Sequence, residues 1–202
     1  MLQILVSFVK IILYLKMMRK VIAAINMTLD GICDHTAGIP DEDLHQHYTE
    51  LLDQSGVILY GRTTYQLMQF WQTLLKNPSG QKSMDDFAVA IDKIPKIVFS
   101  HSLQNTEWDS AQLATKDIAK EILELQQQSA SDKVILVGSR SLIIQLLNLN
   151  LIDEFQICIH PMIEGKGLPL FDQIKDSIHF KLSKTKNFHS GVIILYYEPI
   201  RQ

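Results

Sequence analysis

Two short segments of the chain place small, hydroxylated and basic residues directly after an apolar run, where a ligand could be bound. The first is VILYGRTTY (57–65), in which Gly61 is followed by Arg62, Thr63 and Thr64. Glycine lets another group approach the backbone closely, threonine can cap a helix, and the free N–H groups of a helix start attract an anion. We call this junction the Gly61 corner and predict that it holds a phosphate group.

The second segment, VILVGSRSLIIQLL (134–147), repeats the pattern. Neither segment matches GxGxxG or GxxxxGK[ST], so a Rossmann dinucleotide site and a P-loop are both disfavoured. One such junction is more often a capped helix that binds nothing, but two with an arginine in each favour a ligand with several phosphates. We call the second junction the Gly138 corner; it comprises Gly138, Ser139, Arg140, Ser141 and Leu142.

The order of the predicted elements brings both corners to one crevice. Apolar strands alternate with amphipathic helices, which predicts one α/β domain with a mostly parallel sheet covered on both faces. Ligands of such sheets bind outside the carboxyl ends of the strands. The tail (179–198) predicts an antiparallel hairpin that turns at 189–191. Strands are predicted at 21–25, 57–60, 96–99, 133–137 and 155–159, and helices around 44–52, 118–125 and 142–149.

Composition excludes several classes of protein. With 202 residues, 47% hydrophobic and 20% charged, the chain can bury a core without disulfides or metals. Its net charge of −3 argues against nucleic acid as a partner. Cys33 and Cys158 match no metal-ligand spacing and favour a reducing compartment, so we expect a cytoplasmic protein with no metal site.

The first 17 residues form an apolar segment interrupted by Lys10 and Lys16. The segment is short of the roughly 20 residues that a spanning helix needs, and no small-x-small cleavage site follows it. Three explanations stay open: an upstream extension from a mis-assigned start, an added helix or strand, and a membrane-associated leader. We favour the first, with Met18 as the natural start and a membrane location disfavoured, and assign residues 18–202 to one domain.

Five segments of the chain, in this order and spacing, resemble the dihydrofolate reductase-like family that includes the reductase domain of bacterial riboflavin biosynthesis enzymes, the C-terminal part of the bifunctional deaminase-reductase. The resemblance covers Arg19 to Glu198. It implies a three-layer α/β/α dihydrofolate reductase-like fold, a mostly parallel mixed sheet with a C-terminal antiparallel hairpin, and a homodimer. The segments are RKVIAAINMTLDG (19–31), VILYGRTTYQLMQFW (57–71), KIVFSHSL (96–103), VILVGSRSLIIQLL (134–147) and LIDEFQICIHPMIEGKGLPLF (151–171).

The resemblance also implies an NADPH-dependent reductase. Its small-molecule substrate would be pterin-like or similar to 5-amino-6-(5-phosphoribosylamino)uracil. Carried over by position, Ala24 would contact the nicotinamide, Gly61 to Thr64 the phosphates, Ser100 and His101 the adenosine ribose and its 2′-phosphate, and Gly138 to Leu142 the pyrophosphate. Ser139 departs from the family's paired glycines and adds a side chain where the cofactor backbone would pass.

The proton donor that a hydride reduction needs has two candidates. Asp43 aligns with the early-helix carboxylate of the folate enzymes, and Asp30 lies in the loop TLDG. The alternatives are that Asp43 is a first-turn acid favoured by the helix dipole and that Asp30 braces its loop through a backbone hydrogen bond. A nucleotide-binding module of the same fold that performs no chemistry is the alternative to an enzyme.

Overall fold

The computed structural model describes residues 18–38, 40–128 and 133–201. These residues form eight strands and six helices. The strands are β1 (Val21–Thr28), β2 (Ser55–Gly61), β3 (Lys96–Phe99), β4 (Ala111–Leu113), β5 (Val134–Val137), β6 (Glu154–His160), β7 (Phe180–Asn187) and β8 (Ile193–Pro199). The helices are α1 (Glu42–Gln54), α2 (Arg62–Met68), α3 (Phe70–Lys76), α4 (Lys82–Lys93), α5 (Ile118–Gln127) and α6 (Arg140–Asn148).

The strands form one mixed sheet in the order β4-β3-β2-β5-β1-β6-β8-β7. The first six strands in this order, from β4 to β6, are parallel to one another. The strand β8 runs antiparallel to both of its neighbours, β6 and β7. The predicted hairpin is confirmed, and Gly191 takes the positive φ of +83° that its turn requires. Because β2 and β5 are neighbours with Leu59 opposite Val137, the two corners follow adjacent strands.

Helices cover both faces of the sheet, as the predicted three-layer fold requires. Alternate residues of β1 point to opposite sides: Val21 lies in a core beneath α5 and α6, while Ile22 lies in a core beneath α1 and α4. Since both faces are buried, the central strands are apolar almost throughout. This continuity is why sequence alone identified them.

Several elements differ from the sequence-based expectations. The short strand β4 and the helix α4 had no predicted counterpart, and the helix expected to begin at Tyr65 begins instead at Arg62, directly after β2. The apolar run at 192–197 would make an adhesive edge if left uncovered, but β8 lies between β6 and β7. The edge strand β7 instead carries Lys181, Lys184 and Lys186, and charged residues protect an exposed edge from pairing.

The proposed N-terminal extension, residues 1–17, lies outside the described residues. Within the part of the chain that the structure describes, no helix combines the length and the apolar character needed to cross a bilayer.

Candidate active site

A cavity of about 560 Å³ opens towards the carboxyl ends of β1, β2 and β5. Its volume falls in the range of roughly 300–1,000 Å³ that is typical of small-molecule sites. Both corners line it, so the two arginine-containing junctions lie on one cavity. Of the residues nominated from the sequence, Ala24, Gly61, Arg62, Thr63, Thr64, Gly138, Arg140 and Ser141 belong to its lining.

A hydrogen bond joins the two corners directly. The backbone N–H of Gly61 donates to the hydroxyl of Ser139 over 2.8 Å, and Ser139 is only 1% exposed. Ser139 was expected to place its side chain in the path of a bound cofactor. It is instead turned inwards to Gly61 and does not belong to the lining of the cavity.

The glycine at the second corner lies close to an aromatic ring. A Cβ atom added to Gly138 would lie 3.2 Å from Cε1 of Tyr60, whose ring is buried beside the cavity. The backbone after β5 therefore packs closely against the Tyr60 ring, and a side chain at this position would require the ring or the backbone to shift.

The two arginines have different surroundings. Arg62 is exposed and donates from Nη1 to the Ser102 hydroxyl over 2.7 Å. The guanidinium of Arg140 donates from Nε to the Pro169 carbonyl over 2.6 Å and forms an ion pair with Asp172. Sequence reasoning gave both arginines to an anionic ligand, but Arg140 already holds the segment that follows β6.

Three further nominated residues, Ser100, His101 and Leu142, do not belong to the lining of the cavity. The Ser100 hydroxyl accepts the backbone N–H groups of Ser102 and Leu103, at 3.2 and 3.0 Å, and so caps the turn after β3. His101 is exposed in that turn, and Leu142 is buried in the core under α6. Arg62 reaches the turn through Ser102, which sequence reasoning did not nominate.

Neither candidate aspartate lines the cavity. Asp30 accepts the Thr28 hydroxyl and the backbone N–H groups of Glu164 and Gly165, and the bond from Thr28 contributes most to lowering the pKa of its carboxyl. It therefore fastens its loop to the segment after β6. Asp43 is exposed on the first turn of α1, where Asp41 is the N-cap and accepts the N–H of Leu44 over 2.7 Å.

Among the polar groups that line the cavity, Asn26 and Tyr48 were not singled out from the sequence, whereas His160, which ends β6, was expected to shape the substrate crevice. The Tyr48 hydroxyl donates to Oδ1 of Asn26 over 2.8 Å, and Nε2 of His160 lies 3.8 Å from Sγ of Cys158. Burial raises the pKa of Tyr48 and lowers that of His160, so the phenol is protonated and the imidazole neutral at pH 7. Asn26, which interrupts an apolar strand, was the available signal.

Two loops close one side of the cavity as a pair. Leu29 donates its backbone N–H to Met162, Cys33 to Leu168, and Leu170 to Gly31, all over 2.9 Å. We call residues 29–33 and 162–170 the paired loops. Cys33 and Leu168 bring this pair to the cavity surface.

The chemistry of the lining is that of an organic ligand site. Among the described residues, no group of three or more His, Cys, Asp or Glu side chains is arranged to hold a metal ion. The sequence profile of the RibD C-terminal domain matches residues 19–194. The chain belongs to the RibD C-terminal domain family.

Relatives of this RibD C-terminal domain protein share most of its length. The uncharacterized protein YyaP of Bacillus subtilis (strain 168) is 34% identical over 182 residues, which cover 89% of this chain and 94% of YyaP.

Solved structures show that the RibD C-terminal domain fold is dihydrofolate reductase-like. A candidate riboflavin biosynthesis protein from Shewanella sp. PV-4 superposes with a TM-score of 0.66 at 18% identity, covering 90% of this chain and 99% of that one. Dihydrofolate reductase from Enterococcus faecalis, solved in complex with NADP(H) and RAB-propyl, gives a TM-score of 0.57 at 12% identity, covering 89% of this chain and 96% of that one.

Proposed function

We propose that this protein is a reductase that uses NADPH to reduce a small heterocyclic substrate, pterin-like or similar to 5-amino-6-(5-phosphoribosylamino)uracil. The observation that carries the proposal is the shared cavity of the two corners, with Gly61 hydrogen-bonded to Ser139 across them. Membership of the RibD C-terminal domain family supports a reductase. The NADP(H) complex of the fold neighbour from Enterococcus faecalis supports the choice of nucleotide.

The residues of the two corners fit a dinucleotide phosphate. Arg62 and Thr63 are exposed at the Gly61 corner, and Ser141 is exposed at the Gly138 corner. A guanidinium and several hydroxyls suit phosphate oxygens. The backbone of Gly61 approaches Ser141 so closely that a Cβ would lie 3.1 Å from its Oγ, which leaves this surface free of a bulky side chain. We assign Ser100, His101 and Ser102 to the same ligand's outer phosphate, because Arg62 already contacts that turn.

NADPH, when bound, supplies the hydride. The chain supplies the surface that orients both molecules and limits access of water. Ala24 is small and buried on β1, so its position in the lining leaves room for a flat ring. Asn26 lies two residues further along β1 and accepts the hydroxyl of Tyr48 from α1, so this wall offers a hydroxyl and an amide to the polar edge of a substrate.

The proton required by the reduction must come from a group that reaches the substrate or from water. Asp30 and Asp43 remain predictions for this role, although the lining of the cavity favours Tyr48 and His160 as the nearer groups. We further propose a homodimer, as the family resemblance implies, in the cytoplasm, which the two free cysteines favour. The alternative function, a nucleotide-binding module without chemistry, is favoured because neither aspartate belongs to the lining of the cavity.

Thermal unfolding with NADPH, NADH or neither tests the proposal. We expect NADPH at 1 mM to raise the Tm by several degrees and NADH at the same concentration to raise it much less. At a given concentration, a ligand that binds the native state more tightly stabilises it more. No shift with either nucleotide would contradict the proposal. A shift without oxidation of NADPH by any pterin or aminopyrimidine would favour the non-catalytic module.

A further inference from the structure

Strand β1 extends past the end of its neighbour β5, and the side chains on this stretch face the cavity. The register pairs Ala23 with Val137, the last residue of β5, whereas β1 continues to Thr28. The residues of β1 that line the cavity all lie beyond this point: Ala24, Ile25 and Asn26. Of these three, only Asn26 has a polar side chain, and it is exposed.

A neighbouring hydroxyl fixes the orientation of the Asn26 amide. The Tyr48 hydroxyl on α1 lies 2.8 Å from Oδ1 of Asn26. Burial raises the pKa of Tyr48, so the phenol keeps its proton, and a carbonyl oxygen is a stronger acceptor for this proton than the nearby thiol of Cys158. The hydroxyl therefore donates to the amide oxygen, and the NH2 group is the end of the amide that is left to the cavity.

The NH2 group of Asn26 is a hydrogen-bond donor that a ligand can use. Within the described part of the chain, the bond from Tyr48 is the only hydrogen bond that the Asn26 side chain forms. A ligand with a carbonyl oxygen or an unprotonated ring nitrogen at this point gains a hydrogen bond. A ligand with an amino group there places donor against donor and leaves both unpaired, which is costly.

Asn26 is placed to meet the substrate rather than the cofactor. The proposed function puts the nicotinamide against Ala24, and side chains two residues apart on a strand lie on one face, about 6–7 Å apart. Resting on the proposed function, we propose that Asn26 determines the specificity of the substrate site, with Tyr48 as its positioning residue. The NH2 group of Asn26 selects a ring carbonyl oxygen or an unprotonated ring nitrogen and disfavours an amino group in its place.

Two matched pairs of ring compounds test this inference. Each pair differs in a single group, a carbonyl in one member and an amino group in the other: pterin with 2,4-diaminopteridine, and 2,5,6-triaminopyrimidin-4-one with 2,4,5,6-tetraaminopyrimidine. In at least one pair we expect the carbonyl compound to bind at least about tenfold more tightly, because a site built to hydrogen-bond one group excludes an analogue that lacks it. Equal affinities within both pairs would overturn the inference.

Asn26→Asp inverts the chemistry of the site at nearly constant size. A carboxylate accepts hydrogen bonds but donates none, so we expect this variant to bind the amino compound of the pair more tightly than the carbonyl compound. Asn77→Asp introduces the same charge at an exposed asparagine outside the lining and should keep the wild-type preference. A preference for the carbonyl compound that survives in Asn26→Asp, with an unchanged Tm, would contradict the role of Asn26.

Tyr48→Phe tests the positioning role. Without the hydroxyl, the Asn26 amide can turn and offer either its NH2 group or its oxygen, so we expect the preference within the pair to fall below about threefold. If Tyr48 only stabilised the fold, the variant would weaken both members of the pair alike and keep their ratio. That result would remove Tyr48 from the inference.

The outcome is separable from that of the proposed function, because the titrations are run on protein with and without NADPH. Protein that does not bind NADPH contradicts the proposed function, whereas a preference for the carbonyl compound in the cofactor-free protein still supports the role of Asn26. Protein that binds NADPH but none of the four ring compounds would contradict the inference.

Discussion

The backbone N–H of Gly61 and the hydroxyl of Ser139 form a 2.8 Å hydrogen bond that ties the end of β2 to the start of α6. Both partners are buried, with Ser139 only 1% exposed. A serine at this position therefore closes the gap between the corners, where a second glycine would leave the N–H of Gly61 without that partner. The bond sets the relative position of the two junctions on which the cavity is built.

Removal of this hydroxyl should destabilise the protein. In Ser139→Ala the buried N–H of Gly61 loses its acceptor, and we expect the free energy of unfolding to fall by about 1–3 kcal/mol. Urea denaturation followed by circular dichroism measures the change. Ser141→Ala, at an exposed serine of the same corner, should cost less than about 0.5 kcal/mol. Equal losses in both variants would show that the Gly61–Ser139 bond carries no special weight.

Gly138→Ala tests the close approach to Tyr60. The new Cβ would lie 3.2 Å from Cε1 of a fully packed ring, so the backbone or the ring must shift. We expect a loss of about 1–3 kcal/mol in stability, together with weaker NADPH binding, because the shift moves the start of α6. In Gly138→Ala/Tyr60→Leu the clash is relieved. If the second substitution restores neither stability nor binding, the ring contact is not the cause.

Arg62 separates nucleotide affinity from folding. Its side chain is exposed and contacts Ser102, so Arg62→Ala should leave the Tm of the free protein nearly unchanged. We expect NADPH affinity to fall by about tenfold or more, since a charge-assisted contact to phosphate is lost. Isothermal titration calorimetry measures the affinity of the variant and of the wild type for NADPH and for NADH. Lys20→Ala, at an exposed cation away from the cavity, serves as the control. If Arg62→Ala and the wild type bind NADPH with the same affinity, Arg62 does not belong to the nucleotide site.

The catalytic candidates are tested by two asparagine variants. Because Asp30 holds the backbone of Glu164 and Gly165, Asp30→Asn should loosen the paired loops and lower both the Tm and turnover. Asp43 is exposed, and we expect Asp43→Asn to leave NADPH oxidation unchanged. Loss of turnover in Asp43→Asn with intact NADPH binding would instead establish it as the proton donor. The kcat, KM and Tm of each variant distinguish these outcomes.

His47 makes stability depend on pH. Burial, followed by the positive charge of Lys186, lowers its pKa to about 4, while an unfolded histidine titrates near about 6.5. Between these values the unfolded state binds more protons than the folded state, so stability falls as the pH drops from about 6.5 to about 4. The loss should reach up to about 3 kcal/mol. Above pH 6.5 His47 is neutral in both states, so it does not make the free energy of unfolding depend on pH.

Urea titrations at several pH values measure this effect. His47→Gln should make the decline between pH 6.5 and 4 shallower, whereas His101→Gln, at an exposed histidine, should leave its slope unchanged. A decline of the same slope in His47→Gln and wild type would assign the pH dependence to other groups.

The sequence predicted the elements that have strong local signals. β2 and β5 are continuous apolar runs, and the glycine that ends each run marks where a strand meets a helix. The strand β4 has only three residues, none of them fully buried, so it gives almost no pattern. The ion pair of Arg140 with Asp172 could not be predicted from the sequence. Asp172 lies 32 residues beyond Arg140 in an irregular segment, and no local spacing indicates that the two side chains meet.

The cavity wall shows the same division. Tyr48 was visible as one position of an amphipathic helix, but its bond to Asn26 joins residues on different elements and depends on how α1 packs on β1. Ser139 was noticed because it replaces a glycine, yet the direction of its hydroxyl follows from the pairing of β2 with β5. The sequence therefore showed which residue types are present near the site, but the direction in which their side chains point depends on the packing of the folded sheet.

The paired loops have a practical meaning for protein engineering. Residues 29–33 and 162–170 are joined by backbone hydrogen bonds. If one loop is replaced by that of a relative, backbone groups of the other loop lose their hydrogen-bond partners. Chimaeras that aim to transplant the ligand preference of a relative should therefore move both loops together, as a single cassette drawn from the same donor.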